Sequence, residues 1–315
     1  MNPASSPATS NVILNVYKEV SWTSHDAVAR VRRILKERRV GHAGTLDPLA
    51  NGVLLMGVGK GTKLLPYLTD LPKRYSGTLV FGRRTSTGDS GGATVARGEV
   101  PEIDAATLQQ AADSFLGASR QVPPMVSAIK QGGRRLYDLA RKGIEVERPA
   151  RPIEIFRFRI VSVELPRVDF EVECGKGTYV RTLVEDLASR VGALATVEAL
   201  SRTGVGPFSA EESCRIIADP CRDKAGLMSR AISPSEALAH LPSVRIEPRW
   251  IHRVRQGGVP PRSGLLPDGE ISPERPVRLL GPEHELLALG RWEMLPGPAD
   301  RAPADSCTLR LERVI

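Results

Sequence analysis

Apolar and polar positions change period several times along this chain, and each change marks an element. Val12 to Tyr17 is a short apolar run that predicts a strand, and the polar, proline-bearing segment Met1 to Ser10 ahead of it predicts a disordered tail. From Thr23 to Arg39 the spacing is helical, with Val28, Val31, Ile34 and Leu35 on one face and Thr23 placed to cap the start. The other face carries Arg30, Arg33, Lys36 and Arg38, which suits either plain solvation or contact with RNA. Val53 to Met56 is apolar, Tyr75 to Phe81 alternates as a strand does, and R-R-T-S-T-G-D-S-G-G follows as a loop. Helices are predicted over Ala105 to Leu116, Leu136 to Arg141 and Thr182 to Val191, and strands over Arg159 to Leu165 and Val168 to Cys174. Without regular β-α-β alternation, this predicts an α+β fold around a mixed sheet. Near Leu241 prolines and glycines multiply. The short runs Val277 to Leu280, Leu286 to Leu289 and Leu309 to Val314 then predict a small β domain, giving a tail over 1–10, a catalytic-sized domain over 11–240 and a β domain over 241–315.

The length of 315 residues accommodates two such domains at about 100–200 residues each. A net charge of +8 and an isoelectric point near 9.6 favour a polyanionic partner. Cys174, Cys214, Cys221 and Cys307 form no C-x-x-C pair and stand beside no histidines at zinc spacing, so reduced thiols and no structural metal are expected. The N-terminus has no leader pattern, and no apolar run reaches the roughly 18 residues of a membrane span, which predicts a cytoplasmic protein. Gly57 to Lys63, G-V-G-K-G-T-K, mimics a phosphate loop but lacks its G-K-[ST] ending and matches no dinucleotide fingerprint, so no nucleotide cofactor is expected.

Three places carry candidate chemistry. Gly41 to Gly52, G-H-A-G-T-L-D-P-L-A-N-G, reads as a loop in which Pro48 biases Asp47 towards extended backbone and the glycines admit close approach of another chain. Asp47 there serves either as a turn-forming residue or as an acid pointing into a cleft. At K-R-Y-S-G, Tyr75 stands beside two cations, an arrangement suited to stacking a base while its neighbours hold phosphate, and equally to a strand tyrosine in a core. In C-G-K-G-T-Y-V-R, a strand predicted to end on Tyr179 and Arg181 offers an arginine for a buried acid or for a surface ion pair.

Taken in order, H-A-G-T-L-D-P, K-R-Y, K-G-T-Y-V-R-T-L and E-A-L-S-R-T resemble the TruB family of tRNA pseudouridine synthases. N-V-Y-K at 15–18, Q-V-P-P-M-V-S-A-I-K at 121–130 and G-R-R-L-Y-D-L-A-R-K-G at 133–143 extend the likeness over roughly Val12 to Ser209. The resemblance implies isomerisation of the T-loop uridine of tRNA, uridine 55, to pseudouridine by base flipping, with no cofactor, metal or guide RNA. It implies that Asp47 attacks the flipped uridine, that Tyr75 stacks on the uracil and can take a proton, and that Arg181 pairs with the aspartate. Leu200 would line the uracil pocket, and His42 would fill the space the base vacates. Lys18, Lys63, Lys130 and Tyr179 match positions of the surrounding RNA-facing cleft.

Three residues depart from the family pattern: Glu19 and Ser21 stand where proline and glycine are usual, and Val126 where tyrosine is usual. The C-terminal β domain lies where many relatives carry a PUA-type RNA-binding module, so the resemblance implies a small β-barrel there, which R-Q-G-G-V-P at 255–260, L-L-A-L-G-R at 286–291 and L-E-R-V-I at the end match loosely; a plain stabilising domain is the other reading. A monomer acting on the T arm of tRNA without an obligate protein partner is expected. The competing readings are a guide-RNA-dependent pseudouridine synthase and an RNA-binding or tRNA-folding protein with secondary or lost catalysis.

Overall fold

A computed structural model describes residues 11–217, 221–269, 272–273, 275–294 and 307–315; the expected N-terminal tail lies outside them. Its spine is a ten-stranded mixed sheet. In spatial order the main strands are Cys214–Arg215, Val12–Lys18, Asn51–Val58, Ala195–Val205, Lys73–Phe81, Arg167–Cys174, Arg151–Glu164 and Gly117–Gln121, with Val40–His42 and Phe208–Ser209 as side pairings. Two neighbouring pairs are parallel, 12–18 with 214–215 and 51–58 with 195–205, and the others on this path are antiparallel.

Strand 51–58 shows why a continuous apolar run was needed. Val53 and Leu55 enter one core with Leu64 and Leu68, while Leu54, Met56 and Val58 enter another with Val28, Val31 and Leu35 of the first helix. Buried on both faces, the strand has no polar side to alternate. The third core lies on the other half of the sheet, where the helices Ala105–Asp113 and Val180–Arg190 cover Leu79, Phe158, Phe170 and Val197. The halves meet at a two-residue parallel contact, Ser201 with Asn51 and Arg202 with Gly52. Gly52 has a φ of 104°, and a Cβ there would stand 2.2 Å from the Arg202 carbonyl oxygen, so only glycine closes this seam.

The first helix runs Ser24–Leu35 and ends earlier than expected because Lys36 adopts a left-handed φ of 53°. Thr23 caps it, with the Asp26 side chain returning a bond to the Thr23 N–H. Arg181 lies in the first turn of the helix Val180–Arg190, not at the end of a strand as expected. Strand 195–205 was not expected at all. Beyond its pairing with Gly117–Gln121, strand 151–164 has one flank without a partner strand among the described residues, and there the Gln109 side chain takes a strand's place. Its Nε2 donates to Phe158 O at 2.9 Å and its Oε1 accepts from Ile160 N at 2.8 Å.

Cys214 and Cys221 form a disulfide with Cα atoms 5.9 Å apart, which corrects the expectation of reduced thiols. They stand seven positions apart in sequence, but both pack into the core under the first helix, so the fold supplies the proximity that spacing did not advertise. Cys174 is free and buried, and that burial pushes its thiol up to about 11.

The C-terminal unit is a five-stranded sheet ordered Leu265–Asp268, Ser243–Ile246, Pro276–Leu280, Leu286–Met294 and Cys307–Val314. Among the described residues its end strands do not pair with each other, and the expected small C-terminal β domain is seen as this five-stranded sheet. Leu280, Leu286 and Leu289 join the core of Leu64 and Leu68, and Tyr67 Oη donates to Glu312 Oε2 at 2.7 Å, so this unit is packed on the larger one. Among the described residues no helix is long and apolar enough to cross a membrane.

Because Leu289 is fully buried where the two units share a core, Leu289→Ala is expected to lower the unfolding free energy by about 2–5 kcal/mol. Urea denaturation followed by tryptophan fluorescence measures it, and a loss well under about 1 kcal/mol would show that the junction collapses around the gap.

Candidate active site

The loop between strands 40–42 and 51–58 carries Asp47, and its short length follows from its ends. His42 pairs with Met56 and Gly41 with Gly57, so residues 43–50 must turn within a narrow span. Asp47 O accepts from Ala50 N at 3.1 Å, which closes the turn. The carboxylate is about a third exposed and lines a cleft of about 800 Å³, a size that suits a small-molecule or nucleotide ligand.

Behind it lies Arg181, 3% exposed. Its Nε and Nη2 donate to the two oxygens of Asp47 at 2.8 and 3.1 Å, a bidentate geometry that only a guanidinium supplies. Its remaining bonds run to the Thr87 carbonyl and to Val126 O, the latter at 2.9 Å. Asp89 stands 3.8 Å away and is itself held by the Thr87 hydroxyl at 2.6 Å and Gly91 N at 3.0 Å. A buried cation is thus shared between two carboxylates and two carbonyls, which is what its desolvation requires.

Tyr75 packs against the main core within electrostatic reach of Asp47. Burial raises its phenol above the ordinary tyrosine value, against the pull of nearby Arg202. Arg202 is fully buried under the loop, donating to Val53 O at 2.7 Å, Gly44 O at 3.2 Å and Thr45 O at 3.4 Å. Leu200 lies in the same core as Tyr75, together with Leu46 beside the aspartate. Tyr179 precedes the helix of Arg181, with both its backbone polar groups tied to the Gln121 side chain at 2.8 and 3.1 Å; burial raises its phenol too. His42 meets His25 edge-on at 5.9 Å, and burial lowers its imidazole.

The three lysines do not gather here. Lys18, expected on the RNA-facing cleft, is completely buried, and its ammonium donates to Glu19 O at 2.9 Å and Trp22 O at 2.6 Å. Burial pulls it down to about 8, opposed by the charge of Asp47. Lys63 sits at the junction with the C-terminal unit, where it donates to the Val314 carbonyl. Lys130 is exposed on a two-strand hairpin, Lys130–Gln131 with Arg134–Arg135. The cations that do line the cleft are Arg135 and Arg141, both over the ring of Tyr137 at 5.8 and 5.5 Å.

Sequence reasoning missed Asp89 and Arg202. Asp89 stood in a segment read only as a polar loop, although its neighbouring glycines gave the same signal as those around Asp47. Arg202 was inside a quoted motif without being singled out.

The sequence profile of the TruB family pseudouridylate synthase N-terminal domain matches residues 32–180. A "tRNA pseudouridine synthase B" of Geobacter sulfurreducens is 42% identical over 249 residues, covering 79% of this chain and 82% of that protein. Another of that description, from Moorella thermoacetica, is 40% identical over 289 residues, covering 89% and 93%. The chain belongs to the TruB family. Among solved structures, a chain of an H/ACA RNP bound to a substrate RNA containing 2'-deoxyuridine superposes with a TM-score of 0.71 at 22% identity, covering 96% of this chain and 84% of that one, a likeness of fold.

The departures from the TruB pattern have visible accommodations. Glu19 accepts from Arg215 Nη1 at 2.9 and 3.1 Å, and that guanidinium lies 3.9 Å from the centroid of the Tyr17 ring. Ser21 takes the left-handed φ of 68° that glycine adopts without strain. Val126 meets Arg181 through its carbonyl, a contact any residue can make.

Lys18 gives a pH test. The folded protein releases this proton near pH 8 while the unfolded chain keeps it to 10.5, so between those values the unfolded state binds more protons and folding gains stability as pH rises. The gain is at most about 1.4 kcal/mol per pH unit. Urea unfolding of Lys18→Met should show a shallower rise than the wild type between about pH 8 and 9.5; identical slopes would place the titration elsewhere.

Proposed function

We propose that the protein isomerises the T-loop uridine of tRNA, uridine 55, to pseudouridine, with Asp47 as the group that attacks the flipped nucleoside. The observation that carries this reading is the bidentate Arg181–Asp47 pair at the floor of an open cleft, in a chain whose TruB relatives are described as tRNA pseudouridine synthases. The carboxylate is oriented by a cation from below and accessible from above, which is what a nucleophile that must not be wasted on water requires.

The target base is folded into an RNA loop and has to be extruded at a cost of a few kcal/mol. Arg135 and Arg141 can hold phosphates beside the cleft, and Tyr137 offers an aromatic face. In the reaction Asp47 adds to the nucleoside, the bond between ribose carbon 1 and N1 breaks, the uracil turns, a bond from carbon 5 to the same ribose carbon forms, and the bond to Asp47 breaks to return the free carboxylate. The hydrogen on carbon 5 leaves as a proton and N1 gains one, so the product is an isomer. Tyr75, its phenol kept neutral by burial, fits a stacking platform better than a strong base. Leu200 supplies apolar contact to the uracil, and His42 fills the space behind the extruded base. Tyr179 buttresses Arg181, Lys130 meets RNA from the hairpin, and Lys18 and Lys63 act indirectly through the segments they tie. The 241–315 unit is an RNA-binding domain of PUA type, and the protein works as a monomer in the cytoplasm without guide RNA.

Asp47→Asn is expected to lose roughly 10⁴-fold or more in turnover, as removal of a covalent nucleophile does, while keeping tRNA affinity. Release of label from carbon 5 of uridine in unmodified tRNA, measured alongside filter binding, reads both; turnover near that of the wild type would remove Asp47 from the mechanism. In the same assay Tyr75→Phe should retain more activity than Tyr75→Leu, because the ring still stacks. Equal activity of the two would reduce the tyrosine to packing.

A further inference from the structure

The entry to the first helix, residues 21–24, is bonded to the main chain on both sides of Asp47. Leu46 N donates to Ser24 Oγ at 2.9 Å, and Ser24 Oγ donates to Leu46 O at 3.2 Å. On the far side, Ser21 N donates to Pro48 O at 2.8 Å. One hydroxyl therefore satisfies both polar groups of Leu46, and a second bond from the same short segment fixes the carbonyl after the aspartate. The segment is itself held down, by Lys18 Nζ on the Glu19 and Trp22 carbonyls and by Arg215 on the Glu19 carboxylate.

Ser24 has no duty in its own helix. Thr23 is the cap and Asp26 completes the capping box, so a second hydroxyl at the next position adds nothing to helix initiation. The residue is also 2% exposed, where a hydroxyl costs stability unless it is bonded. Its partners lie 22 residues away, on the residue directly before Asp47. Serine is suited to this place because one small atom both donates and accepts, which alanine cannot do and cysteine does only weakly.

We infer that Ser24 is a positioning residue for the reaction, setting the backbone of the Asp47 loop so that the carboxylate meets Arg181 and the substrate at one fixed height. The inference rests on the functional reading above. Arg181 is anchored independently, through the Thr87 and Val126 carbonyls and its helix, so it does not follow the loop if the loop shifts. Loss of the hydroxyl frees Leu46 and lets the aspartate move relative to a stationary cation. Ser24 also borders the cleft, but at 2% exposure it offers a ligand almost no surface, so substrate affinity, carried by the more exposed cleft walls, changes little.

The test is single-turnover release of carbon-5 label at saturating unmodified tRNA, with tRNA affinity by filter binding and a thermal melt for each variant. Ser24→Ala should slow the chemical step by about ten- to a hundredfold with affinity within about twofold, since displacement of a reacting group by about an ångström has that effect. Ser24→Cys, close in volume, guards against a folding defect and should be slowed similarly. Ser24→Thr keeps the hydroxyl and should recover most of the rate. Asp26→Ala weakens the same helix start without touching Leu46, so its melting temperature should fall while its rate stays within about twofold of the wild type. Wild-type rates for Ser24→Ala and Ser24→Cys, an equal rate loss in Asp26→Ala, or a Ser24→Thr variant as slow as Ser24→Ala would each overturn the inference. Absence of release by the wild type would instead overturn the functional reading, and this inference with it.

Discussion

A guanidinium buried at Arg181 sets the terms for everything around it. Removing such a charge from water is tolerable only where carboxylates and carbonyls converge on it, and here they come from three separate segments: Asp47 from the 43–50 loop, Thr87 and Asp89 from the loop after strand 73–81, and Val126 from the segment leading to the hairpin. The cation therefore acts as a keystone for loops that share no secondary structure. It also fixes which side of Asp47 is spent on the protein and which is left for a ligand.

The second arginine works at a different level. Arg202 lies where the two halves of the sheet touch over only two residue pairs, and its side chain passes beneath the 43–50 loop to bond carbonyls of Gly44, Thr45 and Val53. The backbone contact with Gly52 brings the halves together, and the side chain ties the loop to that seam. The Asp47 loop is thus supported by strand 195–205 from below and by the Ser21–Ser24 segment from the side. Substituting the usual proline and glycine of the segment by Glu19 and Ser21 is compatible with this support. The contact to Pro48 uses a backbone N–H, and Arg215 now holds the segment through a carboxylate.

Much of this was legible from residues alone, and the pattern of what was not is physical. The helix at Ser24 announced itself because it has one buried face, which imprints a period on the sequence, and the strand at 73–81 through its β-branched and aromatic residues Tyr75, Thr78, Val80 and Phe81. Strand 195–205 did not, because its alternation is broken by bulges where Glu198 and Thr203 fall out of register with strand 73–81. The disulfide was missed for a related reason: proximity of Cys214 and Cys221 comes from tertiary packing, with no local spacing rule behind it. At the site, Asp47 was visible through its glycines and proline, whereas the partners of Arg181 are largely main-chain carbonyls, which no side-chain pattern encodes. Lys18 shows the converse. A lysine suggests a solvent-facing cation, but its charge is consumed internally by two carbonyls.

Gln109 has a consequence beyond its own helix. A strand flank with free N–H and C=O groups is a template on which a second molecule can add a strand, and the free flank of 151–164 carries the exposed apolar side chains Phe156 and Val161. By placing one amide against Phe158 and Ile160, the protein occupies the middle of that template with a group that cannot propagate. A single side chain thereby acts as a stopper against sheet-to-sheet polymerisation, and keeps the long sheet from growing past the boundary of one molecule.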